Sequence, residues 1–241
     1  SLRNLGNSFY DSNPERCISL LDSAAILYNQ FENKTQQAYC LQNIAFAYNE
    51  KLENVDSAIS YIEKAVPIWI SMQKPLNQAN LLKYLGMLQG KKGKYTEGAE
   101  TIRKAITLFD NNNFKAGIAV SYFDLALLYD NASQIDSSIF YFEKNKAYFE
   151  TKLDTSRIFL VNNKLFENYL KKQNLASASK MYEYNLKLEK SSRVHWQHLI
   201  DYYRISMDYY KLIDNSELYD FNEEKYKQLS KELKEQGIVV M

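Results

Sequence analysis

The sequence predicts an all-α fold, a right-handed solenoid of about six helix pairs. Three observations predict it. Gly and Pro number only 7 and 3 in 241 residues, about 4% together against roughly 12% in average usage. Chains of many short strands need those residues for their turns, so that class is excluded. The second and third observations are two phrases that recur along the chain, one per helix of each pair.

The first phrase is a large apolar residue, a small one, and an apolar or aromatic one three later. It reads Leu5-Gly6…Phe9, Ile44-Ala45…Tyr48, Leu85-Gly86…Gln89, Leu125-Ala126…Tyr129, Leu165-Phe166…Tyr169 and Ile205-Ser206…Tyr209. Its second members, at 6, 45, 86, 126, 166 and 206, recur about every 40 residues. Such a fixed period signals a repeat architecture. The second phrase follows 11 to 13 residues later. It reads Cys17/Leu21/Ala24, Ala58/Ile62/Ala65, Gly98/Ile102/Ala105, Ser138/Phe142/Asn145 and Ala178/Tyr182/Asn185, with a decayed sixth copy at Leu218/Asn222/Lys225. Offsets of three, four and seven place residues on one helix face. Small members let backbones approach, and large ones fill the space between neighbouring units.

The elements follow in order. First (A) helices are predicted at 2–11, 34–50, 75–91, 114–131, 155–172 and 193–212, and second (B) helices at 14–31, 55–73, 95–110, 135–152, 175–191 and 216–236. Asn54 and Asp56, Asp154 and Thr155, and Asn215 and Ser216 supply capping chemistry. Gly90 and Gly93 bracket the third A-to-B turn, Pro67 is expected to kink the second B helix, and Gly237 stops the last helix. The expected organisation is a single superhelical domain over 1–241, with repeats at 1–33, 34–74, 75–113, 114–153, 154–192 and 193–236 and a tail at 237–241. The short first A helix suggests a domain excised from a longer chain, or one whose leader was removed.

These phrases resemble the tetratricopeptide repeat (TPR). The resemblance covers nearly the whole chain and implies a TPR-like α-solenoid. The family's first Trp and late Pro are absent, and its usual period of about 34 residues is stretched to about 40. Asn145, Asn185 and Lys225 stand where the family packs Ala, implying looser or wetter packing late in the chain. The long period is similar to that of bacterial signalling proteins whose repeats adjoin a histidine kinase or a DNA-binding domain. The segments Phe114–Tyr129 and Leu218–Tyr226 look like theirs, and the Asn, Lys, Tyr and Phe bias suits an AT-rich bacterial genome.

Composition narrows the function classes. Thirty basic and 29 acidic residues give a net charge of +1, leaving no electrostatic footprint for nucleic acid. No apolar run reaches membrane-spanning length. Cys17 and Cys40 read as two small buried hydrophobes rather than a disulfide or metal pair. His195 and His198 share a helix face, but zinc would need further ligands and only Asp201 is near, so they read as surface histidines. Gly90-Lys91-Lys92-Gly93-Lys94 lacks the phosphate-loop spacing and reads as a solvated basic turn. No catalytic residue, metal site or cofactor is expected.

The remaining candidate site is a groove lined by A helices. Counting six and three back from each small residue, and one forward, gives one column per repeat. The columns are Tyr39, Gln42, Phe46; Asn80, Lys83, Met87; Val120, Phe123, Leu127; Leu160, Asn163, Glu167; and Ile200, Tyr203, Met207, with Arg3 and Asn7 in the first repeat. Rings and thioethers mixed with amides suit a peptide or protein segment. The competing expectation is that neighbouring helices or the chain's own tail cover the face. Some co-chaperone repeats hold a terminal carboxylate with five residues. Arg3, Asn7 and Asn43 match three of them, whereas Asn80 and Tyr84, with Lys83 alongside, replace the other two, which argues against such a clamp. The expected function is a non-catalytic protein- or peptide-binding scaffold. The alternative is a ligand- or peptide-sensing module excised from a larger bacterial signalling protein.

Overall fold

The structure, a computed structural model, describes residues 2–191 and 193–238. Among the described residues there are twelve α-helices and no strand. They are α1 (Leu2–Asn7), α2 (Pro14–Gln30), α3 (Lys34–Glu50), α4 (Val55–Ser71), α5 (Pro75–Lys91) and α6 (Tyr95–Asn111), then α7 (Lys115–Asn131), α8 (Ile135–Glu150), α9 (Thr155–Lys171), α10 (Leu175–Leu188), α11 (Trp196–Leu212) and α12 (Ser216–Glu235). Odd helices are A members and even helices B members, giving the consecutive pairs of a TPR-like solenoid. Two compact units divide between Leu128 and Tyr129, within α7. Ser1 and residues 239–241 of the expected tail lie outside the described residues.

Helix ends share one device. Positive φ occurs at Glu32, Glu53, Gln73, Gly93, Asn113, Ser133, Leu153, Gln173, Asp214 and Gly237. From Glu53 to Gln173 these positions stand 20 residues apart. Each ends a helix in a left-handed cap. At α4, for example, Gln73 N–H donates to Ile70 O at 3.0 Å and Lys74 N–H to Trp69 O at 3.0 Å, the paired bonds of a Schellman motif. The next residue already caps the following helix. Asn33, Asn54, Asp154, Asn174 and Asn215 each accept a backbone N–H three residues on with a side-chain oxygen. Seventeen helical residues and a three-residue turn therefore make the half-repeat. The α3–α4 turn carries one extra residue, which accounts for the 41-residue step between Ala45 and Gly86.

Both phrases are packing surfaces. Every member of the five intact second phrases is buried. Leu21, Ile62, Ile102 and Phe142 are fully buried, each worth about 1.5–3 kcal/mol. In the first unit, Cys17, Leu21, Ile44, Ala45, Ile62, Trp69 and Leu88 share one cluster, and both cysteines are free. Helices α5 and α6 approach through glycine. A Cβ on Gly86 would lie 2.6 Å from Gly98 O, and one on Gly98 would lie 2.5 Å from Gly86 O.

The second unit packs with rings and amides instead. Phe166 occupies the small position of α9, and its ring meets Tyr209 at 5.5 Å between centroids. Tyr182 stacks on Tyr202 at 5.5 Å. Asn185 does not loosen the packing, contrary to the expectation. Its Nδ2 donates to Asn163 Oδ1 at 2.8 Å and to Phe159 O at 3.3 Å, while its Oδ1 accepts from Asn162 Nδ2 at 3.0 Å. An amide chain thus does the work of a packed Ala.

Five helix ends differ from expectation by two residues or more, among them α8, which ends at Glu150. Helix α1 stops at Asn7 because the chain tightens through three-residue bonds, Phe9 N–H to Gly6 O and Tyr10 N–H to Asn7 O, before Pro14. Helix α4 ends at Ser71, since Gln73 takes the left-handed cap. Helix α10 ends at Leu188. Helix α11 starts at Trp196 because His195 takes the extended backbone of a cap. Pro67 lies inside α4, which runs on through it.

Candidate functional site

In the first unit the A helices form a ladder of inner-face contacts. Asn43 Nδ2 donates to Asn7 Oδ1 at 2.9 Å, joining α3 to α1. Phe46 meets Tyr84 edge-on at 4.7 Å, joining α3 to α5. In both, the residue after a small position touches the residue two before the next. Lys83 Nζ donates to Asp124 Oδ2 at 2.9 Å, joining α5 to α7. Burial raises the Asp124 carboxyl pKa and the Lys83 charge opposes that rise. Arg3 lies over the Tyr39 ring at 5.5 Å, and Tyr39 packs edge-on against Trp69 at 5.1 Å.

Of the expected groove residues in this unit, Tyr39, Gln42, Phe46, Lys83, Met87 and Phe123 are half-buried, as are Val120 and Leu127, and Asn80 is exposed. Lys83 is committed to Asp124, so it offers only part of its hydrogen-bonding capacity. Asn49 and Asp124 were missed, and Asn43 and Tyr84 were weighed only as clamp positions. Tyr84 OH accepts from Asn49 Nδ2 at 2.8 Å, and Asn49 Oδ1 accepts from Lys91 Nζ at 2.9 Å. Burial pushes the Tyr84 phenol up to about 12. Asn43, Tyr84 and Asp124 all stand two before a small residue. A polar or aromatic column at the repeat period was the available signal.

In the second unit the column divides. Glu167, Leu160 and Met207 stay half-buried, whereas Asn163, Ile200 and Tyr203 are buried at 1%, 7% and 6% exposure. Asn163 Nδ2 donates to the His198 carbonyl at 2.8 Å, and Tyr203 OH donates to Glu189 Oε1 at 3.0 Å. The expected open positions of Asn163 and Tyr203 are therefore corrected. Asn185 stands where Ala65 and Ala105 stand earlier and reaches Asn163, while Glu189 at the end of α10 takes the tyrosine hydroxyl. What remains is a shallow cleft between α9 and α11, lined by Glu167, Leu170, Lys171, Arg204, Ile205 and Asp208. Glu167 binds Lys164 at 2.9 Å and lies 3.8 Å from Arg204.

The basic turn has a structural task. Lys91 reaches Asn49, Lys92 pairs with Asp56, and Lys94 pairs with Glu97 at 3.3 Å. The same column recurs as Lys51 on Asp11 at 2.5 Å, Lys171 on Asp130 at 2.6 Å and Lys172 on Asp136. Apart from Lys94, whose partner lies one turn on in α6, these exposed lysines each reach the preceding repeat. His195 is exposed, as the sequence implies, whereas His198 is half-buried. The His195 and His198 rings lie 5.7 Å apart, and half-burial followed by the neighbouring His195 lowers the His198 pKa. Among the described residues no three His, Cys, Asp or Glu side chains are placed to hold a metal, and no helix is long and apolar enough to cross a membrane.

Comparison with known proteins places this architecture. Residues 3–123 match the family model for the soluble NSF attachment protein, SNAP. No curated protein matches the chain. Among solved structures, BtubC (BKLC) from P. vanneervenii is similar with a TM-score of 0.80 and 15% identity, over 93% of each chain. The STAND signal-transduction ATPase PH0952 from Pyrococcus horikoshii, which has a tetratricopeptide repeat sensor, is similar with a TM-score of 0.80 and 18% identity, over 98% of this chain and 36% of that one. A Rap protein complexed with Competence and Sporulation Factor is similar with a TM-score of 0.60 and 15% identity, over 98% of this chain and 64% of that one. These likenesses carry the fold, whereas the family match spans half the sequence: the chain belongs to the SNAP family of TPR-like helical repeats.

Proposed function

We propose that the chain is a non-catalytic scaffold that holds an extended peptide, or a segment of a partner protein, on its A-helix faces. The observation that supports this most is the apolar remainder of the first unit. Ala45, Gly86 and Ala126 are buried, yet Phe46, Met87, Val120, Phe123 and Leu127 on the same helices stay partly exposed. Partly exposed apolar side chains, with Gln42 and Asn80 beside them, offer pockets for side chains and amides for a backbone. The near-zero net charge favours a protein partner over nucleic acid.

The test is capture from source-cell lysate with three baits: wild type, the inner-face variant F46S/M87S/F123S, and the B-helix variant I26S/I70S/F140S. Ile26, Ile70 and Phe140 are exposed apolar side chains of α2, α4 and α8. Partners held by wild type and the B-helix variant, and lost by the inner-face variant, are the expected result. Equal capture by all three overturns the reading.

The second reading is a sensing module within a larger bacterial signalling protein. Its support is the likeness to a repeat sensor that forms a minor part of its own chain, and to a Rap protein with a bound factor. A kinase or DNA-binding domain in the same reading frame would favour it.

A further inference from the structure

Most helix caps of this protein do not respond to pH near neutrality. Among the described caps, those with a side-chain bond are Asn13, Asn33, Asn54, Asp154, Asn174 and Asn215, and one histidine. His195 has extended backbone (φ −72°, ψ 141°), and its Nδ1 accepts the Gln197 N–H at 3.3 Å. Only an unprotonated Nδ1 can accept that bond. An imidazolium there would also place a positive charge at the positive end of the α11 dipole.

The first turn of α11 is attached to the rest of the second unit at a few points. The His198 carbonyl accepts the Asn163 amide of α9, and Asn163 in turn accepts from Asn185 of α10. The His195 ring also lies 5.4 Å from that of Trp196. A cap lost at His195 therefore loosens the turn that carries the Asn163 anchor. The charged groups around the pair are already engaged. Asp201, one turn on, binds Arg204 at 3.1 Å. Glu189 of α10 accepts from Tyr203, and on α9 Lys164 and Glu167 bind each other. Arg193, two residues before the cap, adds positive charge. Among the described residues no hydrogen bond or ion pair joins a carboxylate to either imidazole, and on His198 burial disfavours the charge that Asp201 favours.

We infer that His195 is a pH-sensitive cap: its protonation uncaps α11 and releases the helix's first turn from Asn163. The inference goes beyond the binding reading and does not depend on it. Its consequence is local, a loosening of one wall of the α9–α11 cleft on mild acidification.

Backbone amide exchange of the intact chain tests it, measured at pH 7.5 and 5.5 and corrected for intrinsic exchange. The wild type is expected to lose protection at Gln197, His198 and Leu199 on the order of fivefold between the two pH values, the scale of one lost N-cap bond. H195N keeps a cap that does not titrate and should hold protection at both. H198N removes the neighbouring charge but leaves the cap, so its pH-dependent loss should persist. Unchanged wild-type protection between the two pH values overturns the inference, as does an H195N variant that loses protection as wild type does. Loss abolished by H198N rather than H195N would assign the response to the buried imidazole and equally overturn it.

Discussion

Gly86→Ala tests whether the repeat's small position is a site of true backbone contact. The added Cβ would stand 2.6 Å from Gly98 O and 2.6 Å from Ile102 Cγ1. Ordinary contact begins near 3.4 Å, so α5 and α6 must part by about 0.8 Å or shed contacts along their length. Overpacking of this kind costs about 1–3 kcal/mol. Against it stands the helix preference of Ala over Gly, about 1 kcal/mol. The contact with Gly98 O is to backbone, which cannot swing aside, so overpacking wins and the net loss is up to about 2 kcal/mol. Gly90→Ala is the internal control. It lies in the same helix, and its Cβ would meet only Leu128, with Cδ1 at 3.2 Å. A leucine methyl can rotate away, so this variant should be neutral or more stable by up to about 1 kcal/mol. Urea unfolding followed by helical ellipticity measures both. Gly86→Ala as stable as Gly90→Ala would refute the close approach and the packing role of the first phrase.

Three further outcomes follow from the same geometry. Leu153 is 78% exposed at φ 53°, so Leu153→Gly should stabilise by about 1 kcal/mol through relief of left-handed strain, read as a higher urea midpoint. Asn185→Ala leaves Asn162 Nδ2 and Asn163 Oδ1 buried without that partner and should cost about 2–3 kcal/mol; a loss below 0.5 kcal/mol would show the amide chain to be dispensable. The His198 pKa lies below the ordinary 6.5, so as pH falls through 6.5 the unfolded chain takes up a proton that the folded chain resists. Its stabilising contribution is complete above 6.5 and lost towards the lower folded value, and thermal midpoints of H198N should fall less than wild type between pH 7.5 and 5.5.

The fold was legible because both phrases are made of residues whose packing role restricts their size. Gly86 and Gly98 must be small, and Ile62 and Ile102 must fill what the small residues leave. Helix starts at Asn54, Asp154 and Asn215 were equally legible, since their side chains make the capping bond. The turns were harder to read. Only Gly93 and Gly237 mark left-handed caps with glycine, while Glu53, Gln73, Ser133 and Leu153 occupy the same conformation. A single such residue costs about 1 kcal/mol, which a packed helix end tolerates. Lys74, Lys94 and Gln134 cap without a side-chain bond and left no signal.

The candidate face was legible in part for a related reason. Counting from the small position gives direction on a helix, but not whether another side chain lies on top. In the first unit Ala65 and Ala105 are too short to reach the column. In the second, Asn185 reaches Asn163 and Glu189 reaches Tyr203, so two expected contact residues are consumed by internal bonds. The basic turn at Lys91–Lys94 is exposed, as the sequence implies, but its bonding partners were not legible, because Asn49 and Asp56 lie about 40 residues away, where only the fold brings them close.

The most direct test of the scaffold reading is a hydrogen–deuterium exchange footprint of the chain with a captured partner bound and free. The account predicts that protection gained on binding concentrates on peptides from α3, α5 and the first part of α7, around Phe46, Met87 and Phe123. Protection confined to the B helices α2, α4, α6, α8 and α10 would contradict it.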